Sequence, residues 1–192
     1  MPTPAGIFIL GELTGPVADE IQRLIERHDP KLARARRPHV TLAGSSGVGP
    51  IAASTTAVEL RGALEPVAFE TPPIVLELGR PERFPGTEIV VLPIAPRGPI
   101  RALHDRIATS GLHFARPRFA FSPHVTLNLY RTLTRDRLAM LLSTRITEPV
   151  VLDRVQCYYT CEPNAARLLL ELKLEGGAAS ATSAAQVTGQ AK

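Results

Sequence analysis

Two histidines and two threonines occur in the same short pattern at two places in the chain. The segment Pro-His-Val-Thr-Leu stands at residues 38–42 and again at residues 123–127. In a β-strand, residues two apart point to the same side, so His39 would share a face with Thr41, and His124 with Thr126. The Val and Leu between and after them would anchor each strand in a core. Each repeat therefore predicts an imidazole and a hydroxyl side by side on the open face of a strand.

This combination of side chains suits the hydrolysis of a phosphodiester. One imidazole can take the proton of the attacking water while the other delivers a proton to the leaving oxygen. An unperturbed histidine pKa of about 6.5 allows one neutral and one protonated ring near neutral pH. Threonine hydroxyls can donate hydrogen bonds to the non-bridging phosphate oxygens. No carboxylate cluster of the metal-binding kind accompanies either histidine, so the pattern requires neither a metal nor another cofactor.

Basic residues surround both repeats. They are Lys31, Arg34, Arg36, Arg37, Arg116, Arg118, Arg131, Arg135 and Arg137. The formal net charge of +4 is small for a protein dedicated to coating nucleic acid. The local clustering favours a phosphate-bearing ligand, although solvation of an exposed loop explains any single arginine equally well.

The elements that must position the repeats are themselves repeated. In the first half we predict strands at 6–10, 39–43 and 74–78, with helices from residue 16 to 28 and from about 54 to 64, the second capped by Ser54 or Thr55. In the second half we predict strands at 88–94, 124–130, 150–160 and 166–174, with a helix from about 99 to 111 and another capped by Thr134. The last two strands are expected to form a terminal hairpin around Glu162-Pro163-Asn164.

This order indicates an internal duplication. We expect an α+β fold of two lobes related by a pseudo-twofold axis, each a mainly antiparallel sheet with helices packed outside, and an active-site cleft between the lobes. Residues 1–175 would form this single bilobal domain. Residues 176–192 consist almost entirely of Gly, Ala, Ser, Thr and Gln, which predicts a disordered tail.

Composition excludes a membrane-spanning protein and a disulfide-rich one. The chain has 192 residues, of which 44% are apolar, enough for a sizeable core, but its apolar runs are too short to cross a bilayer. Cys157 and Cys161 lie in one predicted strand about 13 Å apart, too far for a disulfide. There is no zinc-type ligand set and no leader pattern, so we expect a cytoplasmic protein. Nothing in the sequence fixes the oligomeric state, and we expect a monomer.

The two repeats resemble the motifs of the two-histidine (2H) phosphoesterase superfamily, which includes the bacterial 2′-5′ RNA ligases and RNA 2′,3′-cyclic phosphodiesterases. The resemblance also rests on Ser122 before the second repeat, on the helical segment at residues 102–107 and on Phe-Ile-Leu near the start, and it covers most of residues 6–175. It implies a phosphodiesterase that opens a 2′,3′-cyclic phosphate at RNA ends or in nucleotides, or a related 2′-linked diester. One histidine would be the general base and the other the general acid, and RNA ligation would be the reverse reaction.

The sequence departs from the ligase-like pattern at two places. Asn128 and Leu129 follow the second repeat where ligase-like members often carry an arginine, and Ala43 and Gly44 follow the first where an aromatic residue is common. These departures leave the phosphate chemistry intact and the substrate open.

Two residues near the second repeat are candidate substrate contacts. Tyr130 would continue the strand face of His124 and Thr126 and could stack on a base or ribose, although a half-buried strand tyrosine is an equal alternative. Arg131 could clamp a phosphate. The alternative function is a non-catalytic RNA or nucleotide-binding protein of the same fold, but an aromatic content of 5% argues against an extended stacking platform. The remaining histidines are predicted to be structural or solvated: His28, His104 and His113.

Overall fold

A computed structural model describes residues 5–95, 97–160 and 166–176 of the chain. Its strands are β1 (Gly6–Thr14), β2 (His39–Ala43), β3 (Ile74–Leu78), β4 (Glu82–Arg83), β5 (Val90–Ala95), β6 (His124–Asn128), β7 (Val150–Thr160) and β8 (Arg167–Lys173). Its helices are α1 (Pro16–His28), α2 (Pro30–Ala35), α3 (Ala57–Glu70), α4 (Arg97–Ala108) and α5 (Arg135–Ser143).

The strands form one mainly antiparallel sheet system. Their order is β1-β2-β6-β5-β3-β7-β8, with β4 added beside β5. β1 also pairs with β7, so the path of pairings closes on itself. The predicted α+β class with a mainly antiparallel sheet is confirmed, and the two motif strands, β2 and β6, are direct neighbours within it.

The strand pairings repeat in the way that an internal duplication predicts. If β1, β2 and β3 are exchanged with β5, β6 and β7, every pairing in the closed path maps onto another pairing in that path. The third strand of each half pairs with the first strand of the other half, and not with the first two strands of its own: β3 pairs with β5, and β7 pairs with β1. Each half thus pairs its third strand with the other half, so the two sequence halves cannot be two separately closed sheets.

The helices show the same exchange. α1 buries Ala18, Ile21, Ile25 and His28, spaced at three and four residues, and contacts β6 of the second half as well as β1. α4 buries Ile100, Leu103, His104 and Ile107 and contacts β2 of the first half. Each motif strand therefore rests on a helix from the other half.

Alternation along the motif strands separates the core from the site. Val40, Leu42, Val125 and Leu127 are fully buried, whereas the histidine and threonine of each motif remain partly exposed. Fully burying an aliphatic side chain contributes about 1.5–3 kcal/mol, so these four residues hold both strands firmly in place.

Several predicted boundaries are corrected. Helix α3 is capped by Thr56, not by Ser54 or Thr55, because Thr56 forms a reciprocal capping box with Glu59, and the helix runs on to Glu70. Strand β6 ends at Asn128 rather than at residue 130. β2 and β3 have the predicted bounds, and β7 and β8 form the predicted antiparallel pair. The turn at 162–164, Cys161 and the tail beyond Gly176 lie outside the described residues, so the tail's disorder stays a prediction.

No helix in the described ranges is both long and apolar enough to cross a membrane.

Candidate active site

The two motifs meet at the pairing of β2 with β6. Val40 is the partner of Val125 in an antiparallel register. The same register sets His39 opposite Thr126 and Thr41 opposite His124, on the face away from the buried valines. Diagonal neighbours across such a pair lie about 7–8 Å apart, a span that a phosphate group can bridge between two imidazoles. The structure thus brings all four predicted side chains to one patch of the sheet.

Both motif histidines are oriented in the same way. His39 Nδ1 lies 2.8 Å from the Arg37 carbonyl oxygen, and His124 Nδ1 lies 2.7 Å from the Ser122 carbonyl oxygen. A carbonyl only accepts, so each Nδ1 must carry the hydrogen and donate it. In the neutral ring Nε2 is then the basic nitrogen, and in the charged ring it is the acid. Each ring therefore offers Nε2 for proton transfer.

The proline of each motif contributes to this orientation. Pro38 and Pro123 are buried, and a proline holds the residue before it in an extended conformation. That preceding residue, Arg37 or Ser122, supplies the carbonyl that accepts from the imidazole. Sequence reasoning missed this role of the prolines, although their place before each histidine is the available signal.

The electrostatic surroundings of the two histidines differ. Desolvation lowers the pKa of His39 to about 4, despite the opposing hydrogen bond to Arg37, and the charges of Arg36 and His124 lower it further. Desolvation also lowers the pKa of His124, but there the Ser122 carbonyl and the charge of Glu82 act to raise it. The free site therefore favours two neutral rings at neutral pH, with His39 the harder of the two to protonate.

His124 has an aromatic neighbour that the sequence did not reveal. The edge of the Phe84 ring meets the His124 ring, with centroids 5.1 Å apart and planes at 84°. Phe84 follows β4 in the turn before β5, the strand that pairs with β6. Since an edge-to-face pair fixes ring orientation, Phe84 helps to hold the second imidazole.

A buried carboxylate fixes the turn that follows β6. Asp29, which is 1% exposed, caps helix α2 by accepting from the Leu32 N–H at 3.1 Å. Its other oxygen accepts from the backbone N–H groups of Leu129 and Tyr130 at 2.8 and 2.7 Å. The junction of α1 and α2 is thereby tied to the end of the second motif strand.

Asn128 stabilises the same turn from the other side. It is fully buried, and its Nδ2 donates to the carbonyl oxygens of Glu88 and Arg131, both at 2.8 Å. The departure from the ligase-like pattern at this position therefore has a structural role in bracing the turn.

Tyr130 does not lie where a longer β6 would place it, and Arg131 contacts the end of helix α1. Because β6 ends at Asn128, Tyr130 does not continue the His124 face; it is 44% exposed, with the Lys31 ammonium 4.2 Å from its ring centre. The Arg131 guanidinium donates to the His28 carbonyl at the end of α1, at 3.4 Å. Their substrate roles stay predictions.

The other histidines have the surroundings expected of structural or solvated residues. His28 and His104 are buried, and His113 is exposed. His104 Nδ1 donates to the Leu42 carbonyl at 2.8 Å, and its ring stacks on Phe121 with centroids 3.8 Å apart. Across the described ranges, no group of three or more His, Cys, Asp or Glu side chains is arranged to hold a metal ion.

The family follows from a comparison with known sequences. The model of the 2′-5′ RNA ligase superfamily matches residues 14–160, which include both motifs. The chain belongs to the 2′-5′ RNA ligase superfamily.

Two relatives are similar to this chain in sequence. A protein of Geobacillus kaustophilus (strain HTA426), named "Putative phosphoesterase", is 33% identical over 91 residues, 47% of this chain and 50% of that protein. A protein of the same name from Geobacillus thermodenitrificans (strain NG80-2) is 34% identical over 70 residues, 36% of this chain and 40% of that protein. The matches thus span half or less of these relatives.

Two solved structures have a similar fold. E. coli LigT, in complex with 3′-AMP, superposes with a TM-score of 0.52 and 19% identity over 90% of this chain and 98% of that chain. The protein TT0787 of Thermus thermophilus superposes with a TM-score of 0.52 and 15% identity over 88% of this chain and 98% of that chain.

Proposed function

We propose that this protein is a metal-independent phosphodiesterase that opens a 2′,3′-cyclic phosphate, at RNA ends or in small nucleotides, or a related 2′-linked diester. We place its active site in a cleft between two lobes of one domain, residues 1–175, with His39, Thr41, His124 and Thr126 around the reacting phosphate. The same displacement with an RNA hydroxyl in place of water as the nucleophile would join two RNA ends.

The observation that carries the proposal is the paired orientation of the two imidazoles. Both Nδ1 atoms donate to a carbonyl two residues earlier, and both rings lie on one face of adjacent strands. A purely structural histidine would account for one such arrangement, but not for two on adjacent strands. Two of them, each beside a hydroxyl, supply a proton acceptor and a proton donor together with anion-binding groups.

We assign His39 as the general base and His124 as the general acid. The low pKa of His39, about 4, keeps its Nε2 unprotonated and able to accept a proton from water. The charge of Glu82 favours the protonated form of His124, and the negative charge of a bound phosphate would favour it further.

The reaction then balances in one displacement. The water oxygen bonds to phosphorus as its proton moves to His39 Nε2, and the bond from phosphorus to one ribose oxygen breaks. His124 Nε2 gives its proton to that oxygen, which leaves a phosphomonoester beside a free hydroxyl. The hydroxyls of Thr41 and Thr126 donate to the non-bridging oxygens, on which negative charge accumulates in the transition state.

The E. coli relative provides support for a nucleotide ligand. It was crystallised with 3′-AMP, whose phosphate is bonded to a ribose hydroxyl. A site that opens 2′,3′-cyclic phosphates would release a monoester of this kind.

The first test measures hydrolysis of 2′,3′-cyclic mononucleotides, cyclic-ended oligonucleotides and 2′-5′ linked oligonucleotides in the presence of EDTA. General acid or base catalysis contributes about 10²–10⁴ in rate, so we expect His39→Ala and His124→Ala each to lower kcat by that factor. Full activity in either variant, or loss of wild-type activity in EDTA, contradicts the mechanism. Tight binding without turnover would favour the non-catalytic nucleotide-binding alternative.

A second test uses a matched pair at each threonine. Thr41→Ser keeps the hydroxyl, whereas Thr41→Val keeps the shape and loses the donor. Since removing one donor to a developing anion costs about 10²–10³ in kcat, only the valine variant should show this loss. Equal activity of the two variants would exclude the hydroxyl from the reaction.

A further inference from the structure

Arg36 lies three residues before His39 with an unusual set of contacts. It is the residue that ends helix α2, in an extended conformation with φ −161° and ψ 157°. Its NH2 group donates to the Thr160 hydroxyl at 3.4 Å, and its guanidinium carbon lies 4.3 Å from the centre of the Tyr158 ring. The guanidinium is thus held between the face of a tyrosine and the end of β7.

One nitrogen of this guanidinium lacks a partner. Arg36 NH1 is buried and makes no hydrogen bond within the part of the chain that the structure describes. In that same part, no carboxylate lies within ion-pair distance of Arg36. Burial accordingly lowers the pKa of Arg36, as desolvation does to a cation without a nearby anion, although Tyr158 and Tyr130 act in the opposite direction.

The acidic residues on the neighbouring strands are already occupied. Glu12 accepts from Gln156 and lies 3.7 Å from Arg37. Glu171 accepts from Gln156 at 2.6 Å and lies 3.5 Å from Arg154. Neither is left to neutralise Arg36. Since a buried donor without an acceptor costs free energy, and the Arg36 residue as a whole is only partly buried, the guanidinium is suited to bind an anion that reaches it from solution.

The charge of this guanidinium acts on the first motif histidine. The charge of Arg36 is one of the causes that lower the His39 pKa, so the guanidinium lies within electrostatic reach of the imidazole. The duplication is broken at this position, because Phe121 stands three residues before His124 and stacks on His104 instead. Any binding by Arg36 therefore acts on the His39 side alone.

We propose that Arg36, held on the face of Tyr158, binds the phosphate group of the substrate beside His39. This inference rests on the proposed function and adds a substrate-binding residue to it. A guanidinium presents N–H groups in a planar fork that fits two non-bridging phosphate oxygens at once, which a lysine cannot reproduce. One-sided binding also orients the phosphate, because its most negative oxygens turn toward the His39 side.

The test combines a catalytic and a non-catalytic measurement on Arg36→Met, Arg36→Lys and the matched control Arg34→Met. Arg34 lies on the exposed side of the same helix, so its substitution removes the same charge two residues away. The dissociation constant of adenosine 2′-monophosphate is measured by calorimetry, and KM and kcat are measured with adenosine 2′,3′-cyclic phosphate. Hydrogen bonds to charged groups correspond to factors of about 10–150 in affinity, so Arg36→Met should raise both the dissociation constant and KM by that factor. Arg36→Lys should recover part of the loss, and Arg34→Met should match the wild type.

Stability measurements separate binding from folding. Without a phosphate ligand, Arg36→Met should be about as resistant to urea as the wild type, because removal of an unsatisfied buried donor offsets the loss of the Thr160 hydrogen bond and the Tyr158 contact. A folded Arg36→Met variant with wild-type dissociation constant and KM overturns the inference, as does an equal loss in Arg34→Met. If the wild type binds the monophosphate through Arg36 but hydrolyses no cyclic phosphate, the proposed function fails while this inference stands. If the histidine-dependent hydrolysis is present and Arg36→Met leaves it unchanged, only this inference fails.

Discussion

The carboxylate of Asp29 should be one of the main local determinants of stability. It is 1% exposed and accepts three backbone hydrogen bonds, from Leu32 in helix α2 and from Leu129 and Tyr130 after β6. The Asp29→Asn variant keeps the size of the side chain but replaces one acceptor oxygen with an NH₂ group. That group cannot accept, and it would face at least one backbone N–H.

The magnitude follows from counting these bonds. In the best arrangement, the remaining oxygen of the asparagine keeps the N–H groups of Leu129 and Tyr130 as neutral bonds of about half the strength, and the bond from Leu32 is lost. The total loss is about two charged hydrogen bonds of about 1.5–3 kcal/mol each. Relief of the carboxylate's desolvation offsets part of it, and we expect a net destabilisation of about 3–4 kcal/mol. For a chain of this size that lowers Tm by about 6–16 °C.

Urea denaturation followed by circular dichroism measures this change through the midpoint and the m-value. The control is Asp19→Asn, the same chemical change in an ion pair with Arg37 at 2.6 Å, where the two side chains are 53% and 51% exposed. Such an exposed pair contributes at most about 1 kcal/mol. If Asp29→Asn destabilises the protein by less than about 1 kcal/mol, or by no more than Asp19→Asn does, the Asp29 carboxylate does not stabilise the turn after β6 and the reasoning is wrong.

Three further predictions concern the site and its support. The folded-state pKa of His39, about 4, lies below the unfolded value of about 6.5, so between these pH values the unfolded chain binds the extra proton. The free energy of unfolding should therefore fall as the pH drops through this window, by at most about 1.4 kcal/mol per pH unit. Urea midpoints plotted against pH should show a shallower slope for His39→Gln than for the wild type. Phe84→Leu should lower kcat about 2- to 13-fold, because the edge contact with His124 contributes about 0.5–1.5 kcal/mol. Unchanged steady-state kinetics would show that Phe84 does not help to position His124. Gly47→Ala should destabilise the protein by about 1–3 kcal/mol, because φ is +75° and the new methyl would lie 2.2 Å from a buried imidazole of α4. Gly62→Ala, in open space on α3, should instead stabilise it by about 0.5–1 kcal/mol in the same urea denaturation.

Local features of the fold could be predicted because their signals are local. Strand β2 alternates polar and apolar residues at its start, and strand β3 is a short run rich in Ile, Val and Leu; the bounds of both agree with the prediction. The predicted N-cap of α3 is wrong: three adjacent hydroxyl residues, at 54–56, could cap the helix, and Thr56 does so. The sequence contains the deciding signal, because only Thr56 has a glutamate three residues later.

The exchange of strands between the halves could not be predicted in this way. Whether β3 pairs with its own half or with β5 depends on contacts between residues far apart in the chain. Periodicity indicates only that a strand exists, not its partner. The same limit applies to Phe84 and Asp29, which reach the site from other elements and bear no fixed spacing to either motif.

The duplication explains why the site has two histidines but not how they divide the work. Two identical motifs in identical surroundings would have equal pKa values, and neither ring would be committed to accepting or donating the proton. The structure breaks this symmetry with residues outside the motifs: the charge of Arg36 acts on His39, whereas the charge of Glu82 acts on His124 and the Phe84 ring contacts it. In the proposed reaction, the motifs therefore define the class of chemistry, whereas the assignment of acid and base, and the direction in which we propose that the phosphate binds, depend on positions where the two halves have diverged.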